Sequence, residues 1–245
     1  MHSQDSFDYF ENQQNRPYES TKSFFTFLSK SVDLKSCGLI VDACCGSGAA
    51  SIYLRDCGFT NPLVAFDKSE APLKLLQSKL SSEEKYSNIK LLKENVDELS
   101  EYILGLKSDG IILLQVLSFL DNWQESLEKL SNVSHKWIAG SSLFFSGRMS
   151  ASNRLIIYGK DFSEVTPNDY DCSNQYNVIS IPQFKFFLSK LGYKKIEFAE
   201  FKFPTSLKAK DSNLPSSYTR KMHDGENLLF TGPLYLPWYN FIAIR

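Results

Sequence analysis

The sequence predicts a doubly wound, Rossmann-like α/β fold with helices on both faces of a mostly parallel sheet. Three observations carry that expectation. Short apolar runs alternate with amphipathic helical ones between residues 39 and 145. The first apolar run turns through glycines directly into a helix. A chain of 245 residues, 42% hydrophobic and 14% aromatic, can bury the core such a domain needs.

In order, residues 19–31 read as a helix with Phe24, Phe27 and Leu28 on one face, after the Arg16-Pro17-Tyr18 break. Residues 39–43 are the first strand, and the helix from Ala49 to about Asp56 ends at Gly58. Leu63–Phe66 is the second strand, closed by Asp67. Residues 69–80 then form a helix with Ser69 as N-cap and Pro72 in the first turn. Residues 89–92 are the third strand, 97–104 a short helix and 111–114 the fourth strand. Residues 121–131 form a helix capped by Asp121, and Trp137–Phe145 is the fifth strand. Strand-to-strand connections of this kind are right-handed, which leaves the doubly wound arrangement. Beyond residue 146 the rhythm breaks. Residues 146–180 read as an inserted loop or lid, 181–190 as a helix and 194–203 as a strand. Asp224-Gly225 joins two extended runs as a hairpin turn, and 239–244 is the final strand. The organisation expected is one domain over 1–245. Its parts are N-terminal cap helices (1–35), a ligand-binding core (36–145) and two acceptor-side loops (146–180 and 204–238).

Composition excludes several classes. Twenty-seven basic against 28 acidic residues leave a net charge of −1, which offers nucleic acid no general attraction. The five cysteines, two of them adjacent, lack C-x-x-C spacing and matching histidines, so neither a disulfide framework nor a metal site is expected. The N-terminus is polar, unlike a signal peptide, and the apolar stretch 111–120 is too short to span a bilayer. A cytoplasmic protein is the expectation.

The chemistry concentrates in VDACCGSGAAS, residues 41–51, where a strand ends at an acidic residue and turns through Gly46 and Gly48 into a helix. Glycines permit the tight turn and close approach of a ligand, and the helix N-terminus offers free N–H groups. A dinucleotide fingerprint would need a third glycine or alanine where Ser51 stands, and the Asp42 carboxylate would repel a pyrophosphate while suiting a cation. Alone, such a G-x-G is often only a turn, Asp67 a helix-capping residue and Asn95 a loop residue. Together they fall in order at successive strand ends, where an open α/β sheet binds its ligand.

Asp42, Gly46 and Gly48 match D/E-x-x-x-G-x-G, and in this the chain resembles class I S-adenosylmethionine-dependent methyltransferases over roughly residues 35–145. The resemblance implies a seven-stranded sheet with the last strand antiparallel, and S-adenosyl-L-methionine as cofactor. It places the methionine end of the cofactor against Asp42, Ala43, Gly46 and Gly48. The ribose falls to Asp67 with Lys68 beside it, and the adenine to Asn95 and Val96. Gln115 and Leu117 follow the fourth strand, the edge that faces cofactor and acceptor. Tyr9, Arg16 and Tyr18 are candidates for an N-terminal cap. Cys44 and Cys45 stand where the family commonly has Gly or Ala, and Ser118-Phe119 stands where many small-molecule members carry histidines.

Methyl transfer by in-line displacement asks mainly for alignment in a dry pocket, with a base useful when the acceptor is a hydroxyl. Of three histidines, His223 beside the hairpin turn is the candidate base. Tyr235 and Trp238, in a loop stiffened by Pro233 and Pro237, and Phe119 are candidate acceptor platforms. A faint similarity to methyltransferases of surface-polysaccharide clusters ranks glycan and small-molecule acceptors first, and O-methylation as the transfer. The alternatives are a catalytically inactive methyltransferase-like scaffold and an NAD-dependent oxidoreductase.

Overall fold

The structure, a computed structural model, describes residues 14, 16–157, 172–204, 217–222, 225–231 and 234–245. Helix α1 (Glu19–Leu28) leads into β1 (Ile40–Ala43), α2 (Ala49–Asp56), β2 (Leu63–Asp67), α3 (Glu70–Leu80) and β3 (Ile89–Lys93). Then come α4 (Glu101–Leu104), β4 (Gly110–Leu114), α5 (Trp123–Ser131) and β5 (Trp137–Phe145). The second half comprises β6 (Ala151–Ile157), β7 (Cys172–Ser180), α6 (Ile181–Lys190) and β8 (Lys195–Glu200). Strands β9 (Ser217–Lys221), β10 (Asn227–Thr231), β11 (Leu234–Tyr235) and β12 (Trp238–Ile244) complete it.

The main sheet runs β3-β2-β1-β4-β5-β12-β8. The first five strands pair in parallel, and β12 is antiparallel to both neighbours. This is the mostly parallel sheet with an antiparallel last strand that the family resemblance implies. The central strands are buried on both faces, as continuous apolar runs such as Gly110–Leu114 and Trp137–Phe144 require. On one face Phe24, Leu28, Ile52, Leu54 and Leu76 close the core against Ile40, Ile112 and Ile242. On the other, Leu127, Leu130, Phe184 and Leu188 cover Val41, Ile111, Ile138 and Phe241. The rings of Phe144, Phe184 and Phe241 pack there in edge-to-face pairs with centroids 4.9–5.9 Å apart.

Residues 146–180 correct the sequence expectation of a loop without strands, because β6 and β7 lie within them. These strands form an antiparallel ribbon, and β7 joins β5 in parallel at Phe144–Phe145. Several of their described side chains are polar and pair with each other, among apolar ones such as Leu155, Val178 and the buried Ile179. Gln175 donates to Ser152 (2.8 Å), and Ser152 donates to Asn177 (2.9 Å). Asn177 in turn donates to the Leu120 carbonyl (2.6 Å). Cross-strand amide and hydroxyl bonds hold the ribbon, and no hydrophobic period announces it.

Several boundaries also differ. Asn122, not Asp121, caps α5 by accepting from the Glu125 N–H (3.3 Å). Helix α4 starts at Glu101 because Ser100 caps it, and Ser100 is itself held by the Glu94 carboxylate (2.8 Å). The turn Asn95–Glu98 takes up residues 97 and 98, expected to be helical. The expected hairpin is present as β9–β10, with Asn227 opposite Lys221, and β11 extends it into a separate three-stranded sheet.

Candidate functional site

All five parallel strands end on one edge, and the sequence motif lies there. After β1 the backbone enters the left-handed region at Cys44 (φ 54°), Gly46 (φ 53°) and Gly48 (φ 80°). Gly48 is required twice over. Its φ disfavours any side chain, and a Cβ there would lie 2.5 Å from Leu76 Cδ1 on α3. Cys44 bears the same conformation with a side chain attached. Non-glycine residues held this way cluster at ligand-binding sites.

Asp42 is 1% exposed. Its Oδ2 accepts from both the Ser51 hydroxyl (2.6 Å) and the Ser51 N–H (3.1 Å), so it anchors the first turn of α2. Burial pushes its carboxyl up to about 6, against the pull of the two Ser51 bonds, and the nearby Asp67 charge adds to the rise. No cation pairs with Asp42 among the described residues. Asp67, at the end of β2, accepts from the Gly46 N–H and the Ser69 N–H, both at 2.8 Å. It therefore ties the glycine loop to the next strand end as well as facing the edge. Burial and the carboxylates of Asp67 and Asp42 push the Cys44 and Cys45 thiols upward, which keeps both protonated at neutral pH.

Of the remaining expected cofactor residues, those of the core follow the ends of β1 to β4. Ala43 is fully buried under the loop, and Lys68 is exposed beside Asp67. Asn95 accepts from the Asp97 N–H (3.2 Å), and Val96 is 3% exposed. Gln115 has φ 60° and donates its backbone N–H to the Ser141 carbonyl (2.9 Å). Leu117 is enclosed by the core, so its contribution to the edge runs through packing. Arg16 is exposed, and Tyr18 is partly buried. Tyr9 and the candidate base His223 lie outside the described residues.

The acceptor candidates are spread more widely. Phe119 is 45% exposed and packs edge-to-face on Tyr176 of β7, with centroids 5.3 Å apart. Trp238 pairs with Leu143 just past the end of β4, so it stands on the ligand-binding edge of the sheet. Tyr235 lies opposite Phe230 in the small sheet, with ring centroids 5.6 Å apart. Tyr235 and Trp238 share a cavity of about 20 Å³ with Glu200, Lys202 and Glu226. That volume holds a single water, while Tyr235 stays 36% exposed and Trp238 is half-buried.

Sequence reasoning missed five residues that the fold brings to this edge. Gln14 donates to the Ser47 carbonyl of the glycine loop (2.7 Å), which sets Gln14 itself against the loop. The Ser47 hydroxyl, 1% exposed, has no hydrogen-bond partner. Ser20 accepts from the Gln115 amide (3.0 Å), and Asn240 donates to Ser23 (3.2 Å), which fastens α1 to β4 and β12. Nothing local marks these polar residues, because each finds its partner only through the fold. His135, which just before a strand reads as a surface residue, is instead 6% exposed at the opposite edge. There it bonds the Val133 carbonyl and the Tyr193 hydroxyl, both at 2.6 Å, and burial lowers it to about 4.

Among the described residues, no helix is long and apolar enough to cross a membrane. No curated protein matches the chain in sequence. Solved methyltransferases share its fold. One is an S-adenosylmethionine-dependent methyltransferase from Methanosarcina mazei, 11% identical, covering 89% of this chain and 96% of its own, with a TM-score of 0.58. The magnesium protoporphyrin IX methyltransferase of Synechocystis PCC 6803, with S-adenosylhomocysteine bound, is 17% identical, covers 100% and 89%, and has a TM-score of 0.54. The glycopeptide N-methyltransferase MtfA is 11% identical, covers 100% and 99%, and has a TM-score of 0.56. The family model described as tellurite resistance protein TehB matches residues 2–155, well over half of the sequence, and with the fold and the acidic glycine loop in place, the chain belongs to this family of S-adenosylmethionine-dependent methyltransferases.

Proposed function

We propose that this protein binds S-adenosyl-L-methionine and transfers its methyl group to a small-molecule or glycan acceptor, by O-methylation. The observation that carries the reading is the buried, cation-free Asp42 beneath a loop with left-handed residues at Cys44, Gly46 and Gly48. The residues fit the cofactor. A cationic ligand suits two carboxylates that have no basic partner, and the orphaned Ser47 hydroxyl is a polar group without a protein mate. When bound, S-adenosylmethionine supplies a methyl group already activated on a sulfonium sulfur.

The protein's share is then binding and alignment. Ala43, Gly46 and Gly48 present backbone to the ligand, and Asp42 opposes its positive charge. Asp67 accepts from the ribose hydroxyls, with Lys68 alongside, and Asn95 and Val96 border the adenine. Gln115 and Leu117 shape the floor after β4, while Tyr9 and Arg16 belong to the N-terminal cap, whose Gln14 sits against the loop. Phe119, Tyr235 and Trp238 contact the acceptor, and His223 takes the proton of its hydroxyl. An NAD-dependent oxidoreductase is disfavoured because Ser51 fills the third-glycine position and bonds Asp42.

Calorimetry with S-adenosylmethionine and S-adenosylhomocysteine tests the binding. Transfer of a radiolabelled methyl group to a panel of neutral sugars and phenols tests the reaction. Heat without turnover on any acceptor would favour the inactive scaffold.

A further inference from the structure

Along β5, Trp137 and Ala139 belong to the core beneath α1, so the next residue on that face is Ser141. By the same alternation Leu114 on β4 and Asn240 on β12 face this side, and the three are direct neighbours in register. The row behind them, Ile112–Ala139–Ile242, is wholly apolar. The sheet surface under α1 therefore turns polar one step before the ligand-binding edge.

That polar step is buried and incompletely satisfied. Ser141 is 3% and Asn240 2% exposed. Asn240 donates to Ser23, and Gln115, just after Leu114, donates to Ser20, so α1 roofs the row through two neutral hydrogen bonds. The hydroxyls of Ser141 and of Thr21 on α1 have no partner. An unpaired buried hydroxyl is costly, and a native protein seldom keeps one without use. None of these six side chains is ionisable. The strands flanking the row place carboxylates on the same face, Asp42 from β1 and Glu197 from β8, the latter held by Ser31 (2.8 Å) and Lys195 (3.1 Å). Glu19 and Lys22 of α1 point outward and pair with each other (2.7 Å).

We propose that this row is the acceptor subsite for an uncharged hydrogen-bonding group, with the Ser141 hydroxyl and the Asn240 carboxamide as its partners and α1 as its roof. The inference rests on the methyl-transfer reading and narrows it. The acceptor enters with a neutral hydroxyl or amide toward β5 and β12, and anionic groups are rejected because the row itself offers them no cation and the cation-free Asp42 carboxylate stands on the same face.

The test follows the side-chain NH₂ resonances of Asn240 and Gln115 by NMR in protein saturated with S-adenosylhomocysteine. The probes are ethylene glycol, acetamide, acetate and inorganic phosphate. Glycol and acetamide should shift both resonances, acetate and phosphate should not, and Ser141→Ala should weaken the response at least tenfold. A preference for the anions, or silence with all four probes, overturns the proposal. Should Ser141→Ala fail to fold, Ser141→Cys preserves the size, removes the strong hydrogen bond and must show the same weakening. Saturation is verified first by calorimetry. A chain that binds no S-adenosylhomocysteine defeats the methyl-transfer reading, and the same titration of the free protein still decides the subsite.

Discussion

The two halves of the ligand-binding edge are held by different kinds of bonds. Around β1 and β2 the fastenings are short in sequence, with Ser51 to Asp42 nine residues apart and Gly46 to Asp67 twenty-one. Around β4, β5 and β12 they are long, with Gln115 reaching 95 residues to Ser20 and Asn240 reaching 217 to Ser23. The first half is a prebuilt cradle of backbone N–H groups and carboxylates. The second is a joint between the body and α1, closed by neutral bonds of about 1 kcal/mol each. A site that must hold one ligand tightly and admit another by opening is served by that division.

The largest expected effect breaks the cradle. Gly48→Ala places a Cβ against Leu76 and an alanine at positive φ, and it should cost about 2–4 kcal/mol in chemical denaturation. Adding Leu76→Ala should relieve the clash and not the backbone strain, which sharpens the assignment. If Gly48→Ala costs nothing when measured against Leu76→Ala alone, packing alone requires the glycine.

Next comes Asp67→Ala. Loss of a charged acceptor of hydrogen bonds should weaken S-adenosylmethionine by roughly 30- to 150-fold. Because Asp67 also holds Gly46 and Ser69, the melting temperature should fall as well, which a carboxylate serving the ligand alone would not cause. Binding within threefold of the unaltered protein sinks the ribose role.

A smaller effect lies in pH. Asp42 titrates near 6 in the free protein, and a sulfonium favours its ionised form. Affinity for S-adenosylmethionine should therefore drop below pH 6, and affinity for S-adenosylhomocysteine, which lacks the sulfonium charge, should drop less. Stability gives a second readout. The folded Asp42 value lies above its ordinary 3.8, so its contribution is full below pH 3.8 and is lost as pH rises through 6. His135 works in the opposite sense. Its folded value near 4 lies under the ordinary 6.5, so its contribution is full above pH 6.5 and fades as pH falls through 4. Asp42→Asn should leave the His135 slope exposed between pH 4 and 6 in urea titrations.

The smallest effect belongs to the acceptor half. Phe119→Ala and Trp238→Ala should leave cofactor affinity within twofold and raise the acceptor KM several-fold. Unchanged turnover in both would move the acceptor pocket away from the aromatic residues.

What the sequence disclosed follows the same division. Continuous apolar runs, glycines and a strand-end aspartate are local signals, so β1 to β5 and the loop of Asp42, Gly46 and Gly48 were legible. The ribbon β6–β7 was not, because its stability comes from Ser152, Gln175 and Asn177 pairing across strands with no period to detect. Gln14, Ser20, Ser23 and Asn240 were silent for a related reason. An amide or hydroxyl in isolation reads as surface, and only the closed fold shows which carbonyl or hydroxyl it meets. His135 misled in the same way, since its partner Tyr193 lies 58 residues on.

The protonated thiols beside the glycine loop have a practical consequence for anyone attaching a reporter. Alkylating reagents consume thiolate, and Cys44 and Cys45 hold little of it at neutral pH. Cys37 is buried, while Cys57, at the far end of α2, is exposed. Of these four cysteines Cys57 should take a maleimide dye first, placing a fluorophore one helix length from the loop. The protein thus carries a labelling position from which ligand binding at the loop can be watched without touching it.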